Sequence, residues 1–501
     1  MLDLPTITLD TTLTDLYART GPSLGKKRIG QVLCGTSSAI ELNQHFPRNI
    51  KYLYQDSPFN SLPQQELIRE NDKLKYSLAS KYLSLIPQRE AFIAGNTRVF
   101  LFNVNLSDEQ IHHDEQEAKR TIAVLNNNQR PALVFCPGPE HIDLEKHGVD
   151  VLASKLVLDA LDGYPLTCDP EIHWLLNTKE ALARSGLPTP RCDIVELEGY
   201  CADRQDCCAA CKDDSSPFVP ECCTGPRSTW LQQSVRKVIK AVRGRSLPFV
   251  AKNQQTFAGA GTWIINTDQE RDELIEQLSS GLLRKLFSQV TAINHTLKPA
   301  TILLSDMVVN PIANHGLTFF VCEDGASIYL GTSEQMIDEN SSWIGSTITY
   351  SQQNQLEDRF SPIMNQVATW LHSHGYVGPV GTDILQTQSS GDTLKQSLSF
   401  SIVDVNVRTS GSMCLPLLRK HFTNRGFDCA SSFGITTKAT RDEFIQEWST
   451  QFQDGQMCLL AWYEDKFAGE SFADIAISAK DNEELRTLME QIKAMTEQVT
   501  F

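Results

Sequence analysis

The sequence predicts an α/β protein of more than one domain, and three observations carry that expectation. Short apolar runs alternate with polar, helix-like stretches through residues 1–170. The chain has 501 residues, 41% hydrophobic and 21% charged, which is globular composition with length for more than one core. Two apolar runs in the second half, GYVGPVGTDIL (375–385) and FSIVDVNVRTSG (400–411), each carry a lone acid and end in turn residues, as strands do.

The elements follow in order. KRIGQVLCGT (27–36), TRVFLFNVN (97–105) and RPALVFCPG (130–138) read as strands, and DEQEAKRTIAVLNNN (114–128) as a helix. From Glu171 the character shifts. EIHWLLNTKEALARSGLPTPRCDIVEL holds a helix with Asn177 or Thr178 as its N-cap and Gly186, Pro188 and Pro190 as its stop, then a strand. Next comes a polar, cysteine-rich stretch, 199–227, and a helix at 231–243. PFVAKNQQTFAGAGTWII reads as strand, glycine-containing loop, strand. A helix at 269–286 leads to the strand ATILLSDMVV, and GLTFFVCEDGASIYLG is a hairpin turning at 323–325. A helix at 358–376 feeds the strand of Asp383. The tail closes with the strand CLLAWYED and the helix DNEELRTLMEQIKAMTEQV. No repeat of 20–50 residues is visible, which argues against a solenoid or propeller.

Composition excludes some functions. A formal net charge of -16 argues against a general basic surface for nucleic acid, while leaving room for a basic pocket. The longest apolar stretches, such as 151–161 with Lys155 and Asp159, are too short and too charged to cross a membrane. The N-terminus has acids and no basic-then-apolar signal pattern, so a cytosolic location is expected. The fourteen cysteines are then expected as thiols or metal ligands rather than disulfides. Six of them, Cys201, Cys207, Cys208, Cys211, Cys222 and Cys223, crowd into one segment. Four thiolates there can hold a structural Zn²⁺; free thiols or disulfides formed on oxidation are the other readings.

A buried carboxylate is costly unless it meets a cation. Asp383 and Asp404, with Asn406 two residues on and so on the same strand face, form a set of hard oxygen donors suited to Mg²⁺, and Mg²⁺ commonly serves phosphate chemistry. Two satisfied structural aspartates are the alternative. Upstream, Lys252 ends the strand PFVAK. The loop Phe257, Ala258, Gly259, Ala260 and Gly261 can aim N–H groups at a phosphate. The strand 302–308, ending in Asp306, Met307 and Val308, can offer backbone groups to a base edge.

In order and spacing these pieces resemble the ATP-grasp superfamily, over residues 171–418. The helix motif K-x6-G-[ILV]-P-x-P is matched by TKEALARSGLPTP with Lys179 at the lysine position. A lysine-ending strand (Lys252), a glycine loop, an acidic hinge strand (Asp306) and two metal-holding strands (Asp383, then Asp404 and Asn406) follow in family order. Arg408 falls where the family uses an arginine near the transferred phosphate. Two positions depart: the second metal acid, usually Glu, is Asp404, and the hinge acid, commonly Glu, is Asp306. An acid for the ribose has no counterpart in NPIANHGLTFF.

The resemblance implies an ATP-grasp fold with an N-terminal preATP-like α/β domain (1–170), a central lid subdomain (171–310, insertion 199–227) and a C-terminal ATP- and metal-binding domain (311–501). It implies a carboxylate–amine ligase using ATP with Mg²⁺ or Mn²⁺. Lys179 and Lys252 would hold the phosphates, and Arg408 would stabilise the transferred group. TSGSM (409–413), with Ser410, Gly411 and Ser412, can lend donors to a substrate carboxylate or be a simple strand-to-helix turn. His421 and His315 read as surface or satisfied histidines rather than general bases. A kinase- or carboxylase-type transfer and a nucleotide- or metal-binding regulator without turnover are the competing readings. Small-molecule acid and amine substrates are expected, without nucleic acid or membrane, and a homodimer is compatible with the sequence.

Overall fold

The computed structural model describes residues 4–34, 45–54, 72–105, 107–197, 203–214, 218–255, 261–338, 343–388, 398–466 and 468–498. Within them the chain is mixed α/β, built on three sheets.

The first sheet is parallel: β1 Ile29–Val32, β2 Arg98–Phe102, β3 Ala132–Cys136 and β4 Val151–Ser154, in the order β3-β2-β1-β4. The expected strands at 27–36, 97–105 and 130–138 are the first three. The helix expected at 114–128 runs Asp108–Ile122 instead, because Ser107 caps it by accepting the Gln110 N–H. The chain steps from β1 outward to β3 and then returns to the other side of β1. The strand order therefore reverses between β1 and β4, where a crevice opens at the strand ends.

The second sheet is antiparallel: β5 Cys192–Val195, β6 Phe249–Asn253, β7 Thr262–Ile265 and β8 Ile302–Asp306, in the order β5-β8-β6-β7. The helix Pro226–Gly244 buries Leu231, Val238 and Val242 against Phe249, Ala251 and Leu304 of this sheet. The helix expected at 269–286 is broken. Asp268–Gln277 passes through a π turn, Leu278–Leu282, where Gly281 takes φ +126, into Leu283–Ser288.

The third sheet holds nine strands among the described residues: β9 Ala313–Val321, β10 Ser327–Ile337, β11 Trp343–Thr349, β12 Gly378–Gln388, β13 Leu398–Asn406, β14 Cys429–Thr437, β15 Met457–Asp465, β16 Glu470–Ala479 and β17 Glu497–Gln498. The order is β13-β12-β9-β10-β11-β14-β16-β15, with β17 on β14. The β9–β10 hairpin turns at Gly325, whose φ of +83 favours glycine. The helix Gln353–Ser373 lays Phe360, Ile363, Met364, Val367 and Leu371 on one side of the sheet, at the 3.6-residue period, against Val380, Ile384, Ile402 and Val405. Asp72–Ala91 is a helix the sequence reading does not contain. Its Gln88 bonds the Trp462 backbone and its Leu85 packs on Ala461 and Tyr463. No helix among the described residues is long and apolar enough to cross a membrane.

Candidate active site

The strands of the two acids are neighbours. β12 and β13 pair antiparallel with Asp383 opposite Asp404 and Gly381 opposite Asn406. Alternation puts all three polar side chains on the face away from the Ile384–Ile402 core. The register slips by one residue after Asp383, because Val403 is a bulge. That slip lets Ile402 and Val405, three residues apart, both face the core while Asp404 and Asn406 face out.

Both acids are partly buried, and their surroundings split them. Burial first, and the neighbouring Asp404 second, push Asp383 up to about 7. Burial also opposes ionisation of Asp404, but Lys179 and Lys252 outweigh it and hold that carboxyl below the ordinary range. Lys179 Nζ pairs directly with Asp404 Oδ1. One acid is thus compensated and its neighbour is not, and a divalent cation on hard oxygen donors would supply the missing positive charge. Gln335 of β10 holds the second acid in place: its Nε2 donates to Asp383 Oδ1 at 2.9 Å. Its Oε1 is fixed by Trp343 Nε1–H at 2.6 Å and Ser346 Oγ–H at 3.0 Å, which sets the amide's orientation. Gln335 reaches Asp383 over Gly316, where any Cβ would lie 2.3 Å from Gln335 Nε2.

The lysines come from different elements. Lys252 ends β6, and its Nζ donates at 2.9 Å to the carbonyl of the bulged Val403. Its ammonium is pulled down by burial and by Lys179. The helix expected after Asn177 or Thr178 is Lys179–Arg184, and a further short helix, Pro170–Leu176, precedes it. Asn177 ends the earlier helix and Thr178 caps the later one by accepting the Ala181 N–H. Gln254 ties this turn to β6, its carbonyl accepting Lys179 N–H at 3.1 Å and its Oε1 accepting Glu180 N–H at 3.1 Å. Gln255 donates to the Trp174 carbonyl at 2.6 Å. The two glutamines after the lysine strand therefore set the spacing of Lys179 and Lys252.

Arg408 lies beyond β13 with its fork held by two asparagines. Nη1 donates to Asn177 Oδ1 and Nη2 to Asn406 Oδ1, each at 2.7 Å. Asn177 also accepts Val407 N–H at 3.0 Å, and buried His173 donates Nε2–H to the Val407 carbonyl at 2.7 Å. Burial pushes His173 down to about 4, so it is a neutral donor. Ser410, Gly411 and Ser412 start a turn, Gly411–Met413, leading into the helix Cys414–Leu417. The two hydroxyls lie 3.4 Å apart, and Gly411 sits where a Cβ would meet the Trp343 ring at 2.5 Å.

A cleft of ≈ 220 Å³ separates the small sheet from the large one. Lys179, Lys252, Val250, Leu303, Val308 and Val403 line it, and Asp306 stands at its rim. The Asp306 carboxylate is paired with Arg245, which also binds Asp193. The buried Asn314 Oδ1 on the cleft wall has no partner among the described residues. Of the proposed glycine loop, Gly261 pairs its carbonyl with Asn253 N–H; Phe257, Ala258, Gly259 and Ala260 lie outside the described residues, and Met307 does not line the cleft.

A second, smaller cavity lies on the other side of Arg408. Gln31, Ser154 and Lys155 of the β1 and β4 ends line it with Tyr17, His173 and Thr409. Lys155 is buried, paired with Glu90, and donates to the Thr409 carbonyl at 3.1 Å. His421 bonds the Gly455 carbonyl and His315 bonds Gln386, both away from this site. Gln335, Asn177, His173, Gln254, Glu90 and Lys155 are absent from the sequence-level site, apart from the capping signal at Asn177, because polar residues inside strands and helix ends look alike in one dimension.

No protein-family model and no curated protein matches the chain. Solved structures with a similar arrangement include N5-carboxyaminoimidazole synthetase from Staphylococcus aureus complexed with ADP (9% identity, 94% of this chain, 97% of that one, TM-score 0.46). Carboxyaminoimidazole ribonucleotide synthase from Aspergillus clavatus complexed with ATP is another (12%, 94% and 99%, 0.45). Biotin carboxylase from Campylobacter jejuni is a third (9%, 81% and 86%, 0.45). The likeness to all three is distant.

Proposed function

We propose that the protein is an ATP-dependent ligase that activates a carboxylate as an acylphosphate and passes it to an amine, forming an amide or peptide-like bond. One observation carries the reading: two acids, an asparagine, two lysines and an arginine from four separate elements converge beside a single cleft. Phosphoryl transfer demands positioning and neutralisation of charge more than covalent help, and this set provides both. Asp383, Asp404 and Asn406 would hold Mg²⁺, with Mn²⁺ able to replace it; the ion supplies charge neutralisation at the phosphate oxygens. Lys179 and Lys252 hold phosphates as point charges. Val250, Leu303 and Ile337 would receive the nucleotide base, with Val308 and Asp306 beside it.

Arg408 lines the smaller cavity and bonds Asn406 of the metal-holding set, so it would stand between the transferred phosphoryl group and its acceptor. The acceptor carboxylate would enter that cavity, at the ends of β1 and β4, toward the cations Lys155 and Arg408 that line it. The carboxylate oxygen displaces ADP from the γ-phosphorus, and the amine nitrogen then displaces phosphate from the acyl carbon, losing its proton.

The test is ADP release by the full chain across amino acids, small acids, bicarbonate and amines. Acid-stimulated release that rises with an amine is the expected result. Asp404→Ala and Lys252→Ala should each lower it on the order of 100-fold. Unchanged release in both variants sinks the site. Turnover with bicarbonate, or with an acid and no amine, replaces ligation by carboxylation or simple phosphorylation.

A further inference from the structure

The segment before the helix Pro226–Gly244 brings four cysteines to one point. Cys207, Cys208, Cys211 and Cys223 present Sγ atoms that all lie within 4.8 Å of one another. The separations are 3.6 Å (Cys207–Cys223), 3.9 Å (Cys208–Cys211), 3.8 Å (Cys208–Cys223) and 3.3 Å (Cys211–Cys223). None of the four is in a disulfide. Tetrahedral thiolates at about 2.3 Å from one zinc ion stand about 3.8 Å apart. The spread fits one ion and is too tight for a multi-iron cluster.

Backbone N–H groups and one buried guanidinium lie beside the sulfurs. The Gly225 N–H points at Cys223, that of Thr224 at Cys208, and that of Arg227 at Cys207. The Arg227 guanidinium, only 3% exposed, meets Cys211. A buried guanidinium against Cys211 is better compensated by a sulfur anion than by a neutral thiol. Gly225 is needed for the approach, since a Cβ there would lie 2.7 Å from Cys207 Sγ. Cys222 is exposed and stands outside the group, and Cys201 lies outside the described residues.

We propose that Cys207, Cys208, Cys211 and Cys223 bind one structural zinc ion. Each thiol releases its proton to solvent as it ligates. The ion fastens a polar segment, too poor in apolar residues to order itself, onto Leu231 and Val195. It thereby steadies the sheet that carries Lys252, independently of what the cleft turns over.

The experiment is metal analysis of the full chain purified without chelator. One zinc per chain is expected, with Cys222→Ser retaining it and Cys211→Ser and Cys223→Ser losing it. Should those two variants fail to fold, Co²⁺ exchange into the unaltered protein decides, and the intense visible bands of tetrahedral thiolate cobalt are expected. A metal-free protein with a featureless cobalt titration overturns the proposal. So does a denatured mass lighter by the hydrogens of a disulfide, or the red colour of iron in place of zinc.

Discussion

Single residues decide how the acids of this site stand. Gln335 is the clearest case, because its amide is oriented from behind by Trp343 and Ser346 before it meets Asp383. Gln335→Leu should raise the Mg²⁺ concentration for half-maximal ADP release roughly 10–100-fold, with much of the rate recovered at saturating metal. A metal titration of both proteins checks this. Gly316→Ala should act on the same contact, since the new methyl occupies the place of the Gln335 amide. We expect a similar metal phenotype plus a loss of about 1–3 kcal/mol in stability from overpacking, read by urea unfolding. Asn177→Ala should leave metal dependence alone and slow turnover, because it releases one arm of Arg408. Neither Gln335 nor Asn177 announces this role in sequence: their partners are 48 and 231 residues away.

At the level of elements, the informative device is the bulge at Val403. It changes which side chains of β13 face the core and frees a carbonyl for Lys252. A strictly alternating reading of FSIVDVN puts Ile402, Asp404 and Asn406 on one face; the bulge sends Ile402 to the other. A second link joins the N-terminal helix Asp72–Ala91, β4 and the turn after Arg408. Lys155 pairs with Glu90, and Thr409 donates its hydroxyl to the same carboxylate. Lys155→Ala should cost about 3 kcal/mol, because buried Glu90 keeps only the Thr409 hydroxyl and Arg89, 3.9 Å away. Lys155→Met with Glu90→Leu should recover most of that. Urea unfolding of the two variants separates a destabilising half-pair from a residue whose loss affects turnover only.

Over the whole molecule, buried histidines tie stability to pH. His173 clamps the Val407 carbonyl and His421 the Gly455 carbonyl, and burial pushes each down to about 4. An unfolded histidine titrates near 6.5, so between pH 6.5 and 4 the unfolded chain binds more protons than the folded one. Stability should therefore hold above pH 6.5 and fall as pH drops toward 4, by up to about 3 kcal/mol for each group. His421→Gln, which keeps a donor for Gly455, should flatten part of that slope in urea unfolding at pH 7 and pH 5. An unchanged slope would assign the acid sensitivity to other groups.

The order of chemistry along the chain was legible without a fold. Lysine, glycine loop, hinge strand and paired acids follow one another in a spacing that sequence alone displays, because each sits on a short local element with its own apolar pattern and turn residues. Three of the four parallel strands and most of the long helices were legible for the same reason, with ends shifted by caps such as Ser107 and breaks such as Gly281. Tertiary structure alone decided how the pieces meet. It set Asp383 opposite Asp404, brought Gln335 over Gly316, held Arg408 between two asparagines, and gathered four of the five described cysteines of the cluster. These are contacts across tens to hundreds of residues, and strand register, a one-residue bulge and close backbone approach fix them. None of those leaves a periodic mark in the chain.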